Sequence, residues 1–216
     1  MAARPAIPLD VRDLDRIGYS DALALQDEAA TACRDGARGT LFLLEHPHVV
    51  PLGRNSREEH VLLGRGQLAA RGVEVHECGR GGDVTYHGPG QLVGYPVMRL
   101  PAGRQSVPGY VTDLEEALIR TLAEFGIEGG REPAYRGVWV GDRKVAAIGV
   151  RFSRWVTTHG FALNVTTDLS YFNLITPCGI RGRGVTSMAE LLGAAPEMKA
   201  VKEAVARHFV AVFGTS

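Results

Sequence analysis

Cys178 stands in the stretch ITPCGIRGRG at 175–184. Pro177 fixes one side of a turn, Gly179 lets backbone approach the sulfur, and Arg181 and Arg183 add positive charge. The thiolate is the nucleophilic form of cysteine, and nearby cations favour it. Backbone N–H groups of such a loop can hold the oxyanion that forms when a thioester is attacked. A cysteine is more often a small buried hydrophobe, and that is how Cys33, in an alanine-rich helical stretch, and Cys78, at a strand end, read. Lys144 is the second residue of interest. The chain has 24 basic residues, and only Lys144, Lys199 and Lys202 among them are lysine. Arginine stays protonated at working pH, whereas a partly buried lysine can exchange its proton. Lys199 and Lys202 read as the polar side of the last helix, which leaves Lys144, beside a turn, as the titratable amine of interest.

From Gly79 to Gly90 the chain carries five glycines together with Arg80, Asp83 and His87. That density lets backbone lie close against a ligand. The order is neither that of a P-loop nor that of a dinucleotide-binding fingerprint. His46 and His48 flank Pro47 and have no third ligand at metal spacing, so a turn with solvated rings is expected. His87 and His159 each precede a glycine, in loops that can meet, and either is a base for a cysteine–histidine enzyme.

The elements that must position these residues alternate between helix and strand. Ser20 caps a helix running to about Cys33 and closed by Gly36. TLFLLE at 40–45 reads as a buried strand, VEVHE at 73–77 as a strand entering the glycine-rich loop, and 91–100 as another. Tyr110, Leu114, Ala117, Leu118, Leu122 and Phe125 recur at helical spacing and Gly126 ends the run. The segments 138–140 and 144–152 flank a Gly-Asp-Arg hairpin turn, and GFALNV at 160–165 is a further strand. Residues 170–185 have no period and read as a loop. Pro196 opens a last helix with Val201, Val205, Phe209 and Val212 on one face. Strands and helices mix without a repeating βαβ unit, so the expected class is α+β, a mixed sheet with helices packed against it.

At 216 residues, 45% hydrophobic and 22% charged, the chain is expected to form one domain, residues 1–216, with a sizeable core. No apolar run is long enough to cross a bilayer and the N-terminus carries no signal-peptide pattern, so a cytoplasmic protein is expected. Three cysteines without CxxC spacing argue against a disulfide framework or a structural zinc. Zero net charge excludes a general affinity for nucleic acid or anionic membrane. The segment from Arg131 to Arg183 is nonetheless basic, with eight Lys or Arg against Glu132, Asp142 and Asp168, and suits a docking face for an acidic partner.

RGGDVTYHGPGQLVGYP at 80–96, GVWVGDRKVAAIGVR at 137–151, THGFALNV at 158–165 and FNLITPCGIRGRGVTSM at 172–188 together resemble the lipoyl(octanoyl) transferases, relatives of the lipoate and biotin protein ligases. The resemblance runs from about Tyr19 to Phe209, and the last motif is particular to the transferases. Pro51 stands before Leu52-Gly53-Arg54 where that family commonly has Thr. The resemblance implies a lipoate/biotin ligase-like catalytic domain and a catalytic pair formed by Cys178 and Lys144. It implies a substrate pocket lined by Arg80, Gly81, Gly82, Asp83, Val84, Thr85, Tyr86 and His87, by Ala147, Ile148 and Gly149, and by Gly160, Phe161 and Ala162. It further implies transfer of octanoyl from octanoyl-acyl carrier protein to a lysine of lipoyl domains, those of 2-oxoacid dehydrogenase E2 subunits and the glycine cleavage H protein. The expected enzyme is a monomer that uses no metal or nucleotide cofactor. Two other enzymes are consistent with the residues: an ATP-dependent lipoate or biotin ligase on the same fold, and a hydrolase pairing Cys178 with His87 or His159. A non-catalytic domain that binds carrier proteins is the third alternative.

Overall fold

Residues that alternate apolar and polar at the start of the chain open a sheet, and a computed structural model describes residues 5–176 and 183–215. The strands are β1 (Ile7–Arg16), β2 (Gly39–Glu45), β3 (Val49–Leu52), β4 (Glu74–Glu77), β5 (Gln91–Val97), β6 (Gly130–Glu132), β7 (Tyr135–Val140), β8 (Arg143–Ser153), β9 (Val156–Asn164) and β10 (Gly214–Thr215). The helices are α1 (Tyr19–Arg34), α2 (Arg65–Ala69), α3 (Val107–Glu124), α4 (Met188–Leu192) and α5 (Met198–Phe213). Eight strands form one mixed sheet in the order β10-β1-β2-β5-β9-β8-β7-β6, and β3 and β4 pair apart from it. The β10–β1–β2 side is parallel and the remaining pairs of the large sheet are antiparallel. The α+β expectation holds.

Each face of the sheet buries its own helices, because strand side chains alternate. Leu41, Leu43, Leu92, Phe161 and Leu163 project to one face and pack with Leu114, Leu118 and Leu122 of α3 and Val201, Val205 and Phe209 of α5. Phe42, Leu44, Val93, Tyr95 and Ala162 project to the other and pack with Ala22, Ala30 and Cys33 of α1. A satellite cluster, built on Val50, Leu68, Val84, Tyr86 and Leu174, joins the β3–β4 ribbon to the chain before the Cys178 segment. Helix α3 begins where Ser106 Oγ accepts the Gly109 N–H, with Pro108 in the first turn. Among the described residues no helix is long and apolar enough to cross a membrane.

Several sequence expectations need correction. Ser20 does not cap α1: the helix starts at Tyr19, with Gly18 at the cap position. Helix α5 starts at Met198 behind Glu197, so Pro196 lies before it rather than in its first turn. The strand β1 was not expected, since its charged residues hide a short alternation that becomes useful only beside β2. Lys202 is not on a solvated face but buried, with Nζ 2.6 Å from Asp13 Oδ1 on β1. Its apolar stem lies along the core while its head reaches an acid. His46 is fully buried rather than solvated, and His48 is half-buried, stacked on Tyr171 at 4.3 Å with Nδ1 2.8 Å from Tyr86 Oη. His159 is in strand β9, not in a loop. Within the basic stretch, Arg131 pairs with Glu115 and Glu116, Arg143 with Glu190 and Arg183 with Glu132, so part of that charge is matched internally.

Candidate active site

Small residues on β8 and β9 line the α1 side of the sheet. Ala147 pairs with Ala162 and Gly149 with Gly160, so these four share one face, whereas Ile148 and Phe161 are paired on the other. Strand β7 pairs with β8 only at Arg143, Lys144 and Ala146, and beyond Ala146 the outer edge of β8 receives the glycine-rich loop instead. Gly81 N–H donates to the Val150 carbonyl at 3.0 Å. A Cβ on Gly149 would lie 3.1 Å from Arg80 Cδ and 3.3 Å from Gly81 O, so the arginine stem crosses the strand where a side chain is missing. Arg80 donates from Nη1 to Gly81 O and from Nη2 to Pro51 O, both at 3.1 Å. Its buried Nε has no hydrogen-bond partner among the described residues.

The other residues expected in the pocket separate into groups. Val84 and Tyr86 are buried in the satellite cluster, and Thr85 N–H donates to Pro51 O. Asp83 accepts the Val84 N–H through Oδ1 at 2.7 Å and holds Oδ2 2.6 Å from His60 Nδ1. Gly82, at φ 90°, has its carbonyl so near Gly53 that a Cβ there would lie 2.4 Å from the oxygen. Phe161 belongs to the core under α3 and α5, with Ile148 packed against it. The structure thus gathers Arg80, Gly81, Gly149, Gly160, Ala147 and Ala162 on one side of the sheet and directs the side chains of Ile148, Phe161, Val84 and Tyr86 away.

Around Arg80 stands a ring of buried, neutral polar groups. His46 donates from Nδ1 to the Ile17 carbonyl at 2.8 Å, which fixes Nε2 as the acceptor of Tyr95 Oη–H at 2.8 Å. The rings of His46 and His87 lie 5.8 Å apart, and Tyr19 reaches both, at 5.3 and 6.5 Å. Burial pushes His46 down to about 4. Burial and the neighbouring His46 push His87 down to about 3, and burial with Arg80 and Arg151 pushes His159 down to about 4. Burial likewise raises Tyr19 and Tyr95 far above the usual phenol range. His159 has φ 58° within a strand, a conformation costing about 1 kcal/mol for a non-glycine residue. Its N–H is held by Gln26 Oε1 of α1 at 2.7 Å.

A one-residue bulge decides where Lys144 points. Val138 pairs with Ala146 but Trp139 pairs with Lys144, so Val145 is an extra residue in β8. Val145 and Ala146 both enter the core under α3 and α5. Lys144 therefore falls on the opposite face, with Ala147 and Trp139. Its Nζ lies 4.8 Å from the Trp139 ring centre, and the Arg183 guanidinium lies 5.4 Å from the same ring and bonds Glu132 at 2.7 Å. Lys144 N–H donates to Gly184 O and Lys144 O accepts the Thr186 N–H, both at 3.0 Å. On the other flank of the cysteine segment, Val61 bridges to Ile175, and Thr176 N–H donates to His60 O at 2.8 Å. Cys178 itself lies outside the described residues.

Sequence reasoning missed Gln91, Asn164 and Thr186, which join the glycine-rich loop to Lys144. Thr186 O can only accept, so Asn164 turns its Nδ2 toward it, at 2.9 Å. Asn164 Oδ1 then accepts from Gln91 Nε2 at 2.9 Å, and Gln91 Oε1 accepts from His87 Nδ1 at 2.6 Å. His87 is thereby fixed as the Nδ1–H tautomer with a lone pair on Nε2. The available signal was a single amide at the end of the apolar run GFALNV and another directly after the glycine-rich loop.

Comparison with known proteins gives a consistent set of relatives. A family model for the lipoyl protein ligase A/B catalytic domain matches residues 18–210. An octanoyltransferase from Solibacter usitatus is 53% identical over 204 residues, covering 94% of this chain and 92% of its own. Another, from Acidobacterium capsulatum, is 51% identical over 222 residues, covering 95% of this chain and 90% of its own. In structure, a chain of the bi-partite lipoate protein ligase system of Thermoplasma acidophilum aligns at TM-score 0.77 and 16% identity, over 95% of this chain and 84% of its own, a likeness of fold.

Proposed function

The chain belongs to the lipoyl protein ligase A/B catalytic-domain family, and from that premise we propose that it is an octanoyltransferase of lipoate biosynthesis. The donor in this reading is octanoyl-acyl carrier protein, the acceptor is a lysine of a lipoyl domain, and residues 1–216 act as one catalytic unit in the cytoplasm.

The reaction has two halves. Lys144 takes the thiol proton of Cys178, and the thiolate attacks the carbonyl carbon of the octanoyl thioester. The tetrahedral oxyanion collapses, the carrier's thiolate leaves and recovers a proton from Lys144, and an octanoyl-Cys178 thioester remains. The ε-amine of the acceptor lysine then attacks that thioester, its surplus proton passes to Lys144, and the Cys178 thiolate departs. Thioester energy is retained until the amide forms, so no nucleotide is consumed.

The observation that carries this reading is the pairing of Lys144. The bulge at Val145 turns its amine to the face of Ala147 and Gly149, and its backbone bonds Gly184, six positions beyond Cys178. The histidines favour lysine over a cysteine–histidine pair. An imidazolium formed on His87 or His159 would be disfavoured, since burial holds them near 3 and 4. In this reading the alkyl chain of the donor lies against the small residues of β8 and β9, on the side of the sheet that Arg80 covers.

The test is transfer between purified proteins with ATP absent. Octanoyl carrier protein and an apo-lipoyl domain are mixed with the chain, and the acceptor is weighed by mass spectrometry. The reading expects an octanoylated acceptor without ATP; a requirement for ATP would return the chain to the ligases, and free octanoate insensitive to the acceptor would make it a hydrolase.

A further inference from the structure

Two strands part at Asn164, and a third segment enters between them. The β8–β9 ladder ends with Ala146 opposite Leu163. Two residues further, where a longer β9 would have set Val165 opposite Lys144, residues 184–186 take its place and Lys144 bridges to Val185 in parallel. This segment is the chain returning from Cys178. Among the described residues, two backbone hydrogen bonds made by Lys144 join it to β8, and Asn164 adds a side-chain bond to the Thr186 carbonyl. Asn164 is 4% exposed and Thr186 is fully buried, so no solvent stands in for a lost bond.

We propose that Asn164 is a positioning residue of the transfer reaction, holding the segment that returns from Cys178 in register with Lys144. Gln91 orients Asn164 by giving its Oδ1 a donor, so only one amide rotamer is left. The inference rests on the reading of Cys178 and Lys144 as the reacting pair. A group that fixes the approach of nucleophile and base acts on the rate of the chemical step, since a displacement of about 1 Å there costs on the order of 10²-fold. It leaves donor binding by the glycine-rich loop in place.

The test is single-turnover acylation by octanoyl carrier protein, with Asn164→Asp and Asn164→Ser against the unaltered chain. Asp keeps the shape but cannot donate to Thr186 O, and Ser is neutral but too short to reach it. The expected result is a rate constant at saturating donor lower by on the order of 10²-fold, with the acylated fraction and the half-saturating donor concentration within about twofold of the unaltered chain. A role confined to folding would do the reverse, lowering the acylated fraction in proportion to unfolded protein and leaving the rate constant of the remainder unchanged; that result overturns the proposal. Alkylation of Cys33, 1% exposed on the buried face of α1, reports unfolding in the same samples. If Asn164→Asp exposes Cys33, Asn164→Ser decides, and an unaltered rate constant in it refutes the role. Absence of acylation in the unaltered chain is a separate outcome, which removes the reading of Cys178 and this inference with it.

Discussion

At the scale of single residues, Lys144 distinguishes itself by what its charge can do. Its Nζ lies over Trp139 beside Arg183, so the ammonium formed when it takes the thiol proton is held on the ring. Lys144→Arg preserves that cation and the strand backbone but removes the exchangeable proton. Its turnover is expected to fall by about 10²–10⁴-fold, the usual range for general acid–base catalysis. Steady-state transfer to an apo-lipoyl domain measures it, with Cys33 alkylation as the check on folding. Turnover within about threefold of the unaltered chain would mean that the amine supplies charge and no proton transfer.

At the scale of elements, the bulge in β8 is the feature that the site depends on. Inserting an alanine between Val138 and Trp139 gives Val145 a partner on β7 and restores regular alternation, which turns Lys144 toward the core under α3 and α5. The expected outcome is loss of transfer together with a stability loss of about 3–5 kcal/mol, since a charge without a partner is then buried. Urea unfolding and the transfer assay read the two effects; retained transfer would show that the bulge does not aim the lysine. The hairpin around Gly141 and Asp142 was legible from its turn residues, and so were the apolar faces of α3 and α5, because these are local patterns. The bulge was not, because RKVAAIGVR reads as a regular strand until its register with β7 is known. His46 was misjudged for a similar reason. Its burial depends on Tyr95, 49 positions away, and on Ile17, neither of which its own neighbourhood reveals. The motif residues around Arg80 were legible as a group, yet the alternation of β8 and β9 assigns Ile148 and Phe161 to the face opposite Ala147 and Ala162.

At the scale of the whole molecule, folding removes three neutral histidines from water in one region. His46, His87 and His159 are held near 4, 3 and 4, below the 6.5 of an unfolded chain. Below pH 6.5 the unfolded state therefore binds more protons than the folded state, so stability is complete above that pH and declines as pH falls toward 4. One unit below 6.5, the three together cost up to about 4 kcal/mol, at 1.4 kcal/mol per histidine. The shifted carboxylates, such as Glu116 and Asp168, are held low and lose their contribution only at more acidic pH, so the window from 6.5 to 5.5 belongs to the histidines. Urea midpoints across that window measure the effect, and a flat profile would mean that the ring of histidines is hydrated or charged in solution.

The central claim is that the octanoyl group travels through the sulfur of Cys178. The most direct measurement is intact-mass and peptide analysis of the chain after incubation with octanoyl carrier protein, followed by a chase with apo-lipoyl domain. The account predicts one octanoyl group, on the peptide holding Cys178, labile to hydroxylamine, absent in Cys178→Ser and transferred to the acceptor in the chase. An octanoylated acceptor formed by Cys178→Ser at an undiminished rate, or an adduct on another residue that the chase discharges, would contradict it.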